Sequence, residues 1–473
     1  MTIVGLRKIS KKCIIILLQL VKIEVFVYSK LHFWIANWSN FEYNLLVPDL
    51  SKHRLSFFFL ILFSVLGATF FAIKFASGYR LDLASKTLKP TGILVANSYP
   101  DGARVFVNDK FVAATNGTLS LKPGKYTIEI KKSGFLPWKK EIVIEKELVA
   151  LAEAFLFPEV PDLKPLTFNE VNNPQVSPDN TKIVYSIPLP DLNAGLWVID
   201  LTDSLLGFSK SPRQIAKSRT GSDFAKSNYS WSPDSRQILI EFPSSNNKYL
   251  LEAGQLNELT AANEVSLTLS KTKESWQKEE NIKEKAKLKR LPLKMQEIVA
   301  SKAAELQFSP DTTKVLYLAT ASAEIPEKLI PPLLATSTQK ESRKLEPGRL
   351  YVYDIKEDRN FLVPFIVPSP TPTPKLKSKI TPTPIPLTTH YPGRAGSLLT
   401  TPRWFPTSKH LVWIAEDKVI SCEYDGTNLT TIYSGPFTKP YVFITPGTDK
   451  LVILTKIGAE TEDKSNLYII SLR

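Results

Sequence analysis

Over most of this chain, polar turn residues alternate with short apolar runs, and one combination of the two recurs. Val176-Ser-Pro-Asp179 leads into NTKIVY, Trp231-Ser-Pro-Asp234 leads through one Ser into RQILI, and Phe308-Ser-Pro-Asp311 leads into TTKVLY. Two shorter copies come later: Trp404-Phe-Pro406 before TSKHLVWIA and Ile444-Thr-Pro446 before GTDKLVILT. Each copy predicts a tight turn feeding a strand. Proline presets φ, Ser and Asp hydrogen-bond the turn backbone, and a β-branched run suits a pleated, buried surface. The turn residues are Ser177, Pro178 and Asp179, then Ser232, Pro233 and Asp234, then Ser309, Pro310 and Asp311. Aromatic residues just before the turn, Trp231 and Phe308, are expected where neighbouring repeats pack.

Such self-similarity predicts a repeat architecture. The motif prolines stand at 178, 233, 310, 406 and 446, at gaps of 55, 77, 96 and 40 residues. One four-stranded propeller blade takes roughly 40–50 residues, so the longer gaps imply insertions. Residues 271–305, rich in Lys, Glu, Ala and Leu, read as helix interrupted at Pro292. Residues 368–386 (PSPTPTPKLKSKITPTPIP) read as an extended, solvated tract. Both insertions are expected to be peripheral to the blades. Leu196-Trp-Val-Ile-Asp200, Leu350-Tyr-Val-Tyr-Asp354 and Leu467-Tyr-Ile-Ile-Ser471 read as outer strands.

These residues resemble the propeller repeats of TolB-type periplasmic proteins, in which a Ser-Pro-Asp turn opens a blade strand. The resemblance runs from about Phe157 to Arg473 and implies a β-propeller, the domain assigned to 158–473. Five blades are readable. A sixth could be completed if Leu166-Thr-Phe168 paired with C-terminal strands, which would also close the ring and remove open sheet edges.

A second region of period-two alternation lies upstream, between Thr91 and Glu147. Gly92-Ile-Leu-Val-Ala-Asn97, Arg104-Val-Phe-Val-Asn108, Tyr126-Thr-Ile-Glu-Ile130 and Glu141-Ile-Val-Ile144 are separated by turn residues, the pattern of a small β-sandwich. It resembles a PEGA domain, assigned to 91–157. Pro100, Asp101, Gly102 and Ala103 stand as the Pro-Glu-Gly-Ala tetrad, and Pro123, Gly124 and Gly134 fall in two further stretches of the family's pattern. Asp101 replaces the tetrad's Glu, and Asn108-Asp109 replaces the usual Asp-Gly hairpin while still tolerating positive φ. The resemblance implies a cell-envelope module without catalytic residues.

Leu55–Ile73 holds 19 residues without a charge, long enough to span a bilayer, and a transmembrane helix is assigned to 55–76 with a linker over 77–90. Residues 1–54 carry a surplus of five positive charges, which places the N-terminus in the cytoplasm and exports the domains beyond the helix. Within that basic segment, Cys13–Tyr28 and Leu31–Leu46 read as an aromatic stretch lying on the membrane surface rather than as a second span.

Composition adds little chemistry. The net charge of +14 falls largely beside the membrane segment and in the two insertions, so it favours anionic lipids and envelope polymers over nucleic acid. Two cysteines, Cys13 and Cys422, cannot form a disulfide framework. The four histidines (His32, His53, His390 and His410) have no second metal ligand at helical or hairpin spacing, and no nucleophile elbow or phosphate-binding loop is present. No catalytic, cofactor-binding or metal residues are therefore assigned. The expectation is mainly-β architecture in a single-pass, membrane-anchored, extracytoplasmic binding or scaffold protein, with an envelope protein or wall polymer as partner. The alternative is an extracytoplasmic enzyme working with paired carboxylates in the propeller channel.

Overall fold

The computed structural model of the protein describes residues 54–76, 79–82, 87–202, 211–243, 245–260, 263–333, 336–366, 399–457 and 464–473. The surface-lying segment expected before residue 54 and the proline-rich tract 368–386 lie outside the described residues. The chain divides into two compact units, Met1–Ala76 and Ser77–Arg473.

In the first unit, helix α1 spans Arg54–Ala76 in 23 residues. At 1.5 Å per residue that is about 34 Å, enough to cross a hydrocarbon core. Its side chains are apolar on every side, and Leu55, Phe58, Phe63, Leu66 and Phe71 are all exposed. The Thr69 hydroxyl donates to the Val65 carbonyl at 2.8 Å, so its polar group is satisfied within the helix. The helix is long and apolar enough to cross a membrane.

The second unit begins with a hairpin, Tyr79–Asp82 against Thr87–Pro90, where the sequence suggested a plain linker. A sandwich of two sheets comes next. Gly117–Leu121, Gly92–Tyr99 and Val149–Phe155 form one, with the last two strands parallel. Lys110–Ala114, Arg104–Val107, Gly124–Lys131 and Trp138–Ile144 form the other. Alternate residues such as Leu94, Val105, Ile128, Ile130, Ile142 and Ala152 fill the space between them.

Five antiparallel blade sheets occur among the described residues after this sandwich. The first holds Asn172–Val176, Lys182–Ile187, Gly195–Asp200 and Arg213–Lys217, and the second holds Asn228–Trp231, Gln237–Glu241 and Lys248–Glu252. The third holds Ala303–Phe308, Lys314–Ala319, Arg349–Asp354 and Arg359–Ile366. The fourth holds Arg403–Trp404, His410–Ala415, Lys418–Glu423 and Thr430–Tyr433. The fifth combines Val442–Ile444, Lys450–Thr455 and Asn466–Ser471 with Leu163–Pro165 from the start of the region. That last strand joins the start of the region to its C-terminal strand, three residues earlier than Leu166-Thr-Phe168. Leu166 and Thr167 donate their N–H groups to the Leu467 carbonyl, the Thr167 hydroxyl accepts the Leu467 N–H at 2.9 Å, and Phe168 is exposed. The strands ending at Asp200, Asp354 and Ser471 are third in their sheets rather than outermost, because a fourth strand pairs beyond each.

Apolar faces set the order of the sheets. Leu196 and Val198 of the first pack on Trp231 and Ile238 of the second, and Ile183 and Tyr185 of the first pack on Phe443 and Val452 of the fifth. Val442 and Leu451 of the fifth meet Phe405 and Val412 of the fourth, whose Leu411 and Trp413 meet Leu316 and Val352 of the third. The remaining place, between third and second, is held by the helical insertion. Helix α2 spans Leu269–Leu288 and helix α3 spans Leu293–Lys302, with Pro292 capping the start of α3 and a strand resuming at Ala303.

The insertion is therefore not peripheral. Leu291, Met295 and Val299 are buried against Val315, Tyr317, Tyr351 and Tyr353 of the third sheet. Phe308, expected between two blades, is only half-buried and joins this helix-packed cluster instead. Trp231 is buried as expected.

Candidate functional site

Each Ser-Pro-Asp turn is wired the same way. Ser177 Oγ donates to Asp179 Oδ1 at 2.6 Å, the Thr181 N–H donates to the same oxygen at 3.0 Å, and the Lys182 N–H donates to Ser177 Oγ at 2.9 Å. Ser232–Asp234 and Ser309–Asp311 repeat the 2.6 Å bond, and Gln237 and Lys314 repeat the N–H to serine bond at 2.9 Å. Burial alone would raise these aspartic acids, but the serine and backbone hydrogen bonds outweigh it and hold all three carboxyls below the usual carboxylate range. A general acid needs the opposite shift. The three aspartates are committed to their turns.

The turns also join neighbouring sheets, through Trp231, Asp179 and Asp311, which the sequence singles out, and through Gln175, Gln307, Ser235 and Ser408, which it does not. Trp231 Nε1 donates to the Gln175 carbonyl at 3.2 Å, and Trp404 Nε1 donates to the Gln307 carbonyl at 3.0 Å. The Asp179 and Asp311 N–H groups donate to Ser235 Oγ (3.3 Å) and Ser408 Oγ (3.0 Å) of the next sheet. Asn180, Ser235, Thr312 and Ser408, four residues after the leading apolar position of the first four copies, all take φ of 58–60°. The signal was a shared Gln-x-Ser-Pro-Asp spacing, present in the first and third copies alone.

In the sandwich, Pro100-Asp-Gly-Ala103 is a turn whose glycine takes φ +74° and whose Ala103 is fully buried. The Ala103 N–H donates to Thr115 Oγ1 at 2.9 Å, and the same hydroxyl lies 2.7 Å from Ser98 Oγ. Asn108 and Asp109 both take positive φ, as their hairpin requires. Pro123 precedes the strand that Gly124 opens in extended backbone. Gly134, at φ +80°, accepts the Glu159 N–H at 3.0 Å, so this turn ties the sandwich to the chain leaving it.

No sequence signal marked the seam between sandwich and propeller. Lys140 Nζ lies 2.6 Å from Glu423 Oε2 and 2.5 Å from Asp425 Oδ2, with all three side chains nearly enclosed. Trp138 Nε1 donates to Glu423 Oε1, as does Asn428 Nδ2 at 2.8 Å. The Lys139 N–H donates to Asn428 Oδ1 at 3.0 Å, and Gln339 Nε2 donates to the Glu141 carbonyl at 2.7 Å. Burial works to lower the Lys140 ammonium, but the Glu423 and Asp425 charges and hydrogen bonds outweigh it and hold it above its usual value. Beside this network, Phe155 and Phe157 pack on Phe405 and on the His410 ring. Burial pushes His410 down to about 4, so its ring is neutral at physiological pH, held by Thr407 Oγ1 at 3.0 Å from Nδ1. Cys422 is buried, which pushes its thiol up. Of the other histidines, His32, His53 and His390 lie outside the described residues. Among the described residues, no group of three or more His, Cys, Asp or Glu is placed to hold a metal ion.

No curated protein matches the chain. Among solved structures, the chain is similar to an Agrobacterium tumefaciens protein described as a TolB (13% identity, 66% of this chain and 83% of that one, TM-score 0.20). It is also similar to TolB from Acinetobacter baumannii (12%, 73% and 60%, TM-score 0.16) and to the β-propeller domain of Myceliophteria thermophila Cps50 (Swd1) (10%, 65% and 99%, TM-score 0.22). Residues 91–152, the sandwich whose turns and seam are described above, match the PEGA domain family.

Proposed function

We propose that this protein is a membrane-anchored binding scaffold of the cell envelope. Helix α1 is its anchor, with the N-terminus in the cytoplasm, and the PEGA domain and propeller stand outside as a single rigid body. One observation carries the reading most of the way: the buried Lys140–Glu423–Asp425 contact fuses the two β domains. A mobile pair of domains joined by a linker would not need it, since interdomain contacts within a chain are usually polar, wet and small. A rigid, broad surface suits recognition, because little conformational entropy remains to be lost on binding. The commitment of the repeated aspartates to their turns further favours binding over carboxylate chemistry.

Photocrosslinking of the full chain in native membranes tests this. Crosslinkers on exposed propeller loops should capture one defined envelope partner, and protease added to intact spheroplasts should digest the propeller while sparing an N-terminal tag. A propeller protected inside the spheroplast would overturn the reading.

A further inference from the structure

The tip of the helical insertion, where α2 ends and α3 begins, carries a dense run of positive charge. Residues 282–294 (IKEKAKLKRLPLK) hold Lys283, Lys285, Lys287, Lys289, Arg290 and Lys294 against a single acid, Glu284. All six basic residues are exposed. Lys283 pairs with Glu279 at 2.7 Å and Lys294 with Glu297 at 2.9 Å, and Arg290 Nη1 donates to Thr312 Oγ1. Lys285, Lys287 and Lys289 make no ion pair among the described residues.

A helix C-terminus favours cations, so one or two of these lysines would be expected from the dipole of α2 alone. The dipole does not account for the apolar side chains set among them. Ile282, on the same helix face as Lys285 and Lys289, is 61% exposed, and Leu293 at the start of α3 is 77% exposed.

The tip stands at the end of the propeller that carries the PEGA domain. Arg290 reaches Thr312, and Lys283 Nζ lies 3.5 Å from the Pro233 carbonyl, so the tip meets the turns of the third and second sheets. The Asp311 N–H donates to Ser408 Oγ in the turn of the fourth sheet, and Lys409 beside it bonds Glu153 of the sandwich. Tip, turns and sandwich therefore share one end, and the chain leads from the sandwich back through the hairpin of Tyr79–Asp82 and Thr87–Pro90 to α1.

We infer that this tip docks on an anionic phospholipid surface, with Lys285, Lys287 and Lys289 at the headgroups and Leu293 at the acyl boundary. A basic run alone would suit any polyanion. The exposed leucine and isoleucine favour a bilayer, whose boundary takes up apolar side chains that a soluble polymer leaves in water. The anchor holds the chain at such a surface, so docking gains from a high effective concentration. The inference rests on the membrane-anchored reading above and adds to it a second point of attachment, through the propeller.

The test uses the full chain in nanodiscs of phosphatidylcholine, alone or mixed in equal parts with phosphatidylglycerol. An environment-sensitive fluorophore is attached at Ala286→Cys in a Cys13→Ser background, where the buried Cys422 escapes labelling. Its emission should shift to the blue in the anionic discs, lose that shift as salt rises, and show none in neutral discs. Changing any one of the three lysines to Gln should lower the ratio of docked to free tip about fivefold. Changing all three to Glu should abolish the shift, and Leu293→Ser should reduce it. All four positions are exposed, so thermal unfolding of these variants should match the parent. Equal emission in both discs, or a shift that survives the triple change, would overturn the inference. So would an equal shift on neutral discs with soluble poly(glycerol phosphate), which would assign the tip to a wall polymer. A chain that enters neither disc would overturn the anchored reading as well, whereas entry with an indifferent tip defeats this assignment alone.

Discussion

Two seams of this protein are built on opposite principles. Where the sandwich meets the fourth sheet, charge is buried and paired: Lys140 sits between two carboxylates, flanked by Trp138 and by the Phe155, Phe157 and Phe405 cluster. Where the second sheet meets the helical insertion, charge is solvated. Lys273 reaches Glu241 at 2.8 Å with both side chains substantially exposed, and α2 has no buried residue at all. The apolar half of that region lies on the other side, where α3 packs on the third sheet. Rigidity therefore resides at the first seam. The PEGA domain is tied to the propeller through buried charge, while the second sheet has three strands among the described residues and meets the insertion through solvated charge.

The largest expected effect lies at the locked seam. Lys140→Ala leaves two carboxylates enclosed without their cation, and losing one partner of a buried pair costs about 3–5 kcal/mol. Urea unfolding of the variant should show a loss of that size. A loss below about 1 kcal/mol, the range of exposed pairs, would mean the seam is wet and the contrast false.

The insertion should split in two. Met295→Ala removes a fully buried side chain of α3 and should cost about 2–5 kcal/mol, whereas Lys273→Ala on α2 should cost no more than about 1 kcal/mol. The same denaturant titration reads both. Equal losses would show that α2 and α3 secure the propeller alike.

Much of this architecture was legible in the sequence because it repeats. Ser-Pro-Asp turns announce themselves through local chemistry, and so do the Pro100–Ala103 and Asn108–Asp109 turns of the sandwich. Contacts between distant segments were not legible. Lys140 and Glu423 are separated by 283 residues, and neither sits in a pattern that marks it. The insertion misled for a related reason. A lysine-rich helix reads as solvated throughout, which holds for α2, but α3 hides Met295 and Val299 among Lys and Glu at a spacing too short to stand out.

Hydrogen exchange of the full chain in nanodiscs tests the contrast most directly, because it reads local opening at each amide. The account predicts that amides of Trp138–Ile144, paired within the sandwich and sealed by the fourth sheet, exchange only with global unfolding. Those of Gly254, Gln255 and Leu256, exposed just past the edge strand of the second sheet, should exchange orders of magnitude faster. Equal protection at the two places, or faster exchange at the seam than past the edge strand, would contradict it.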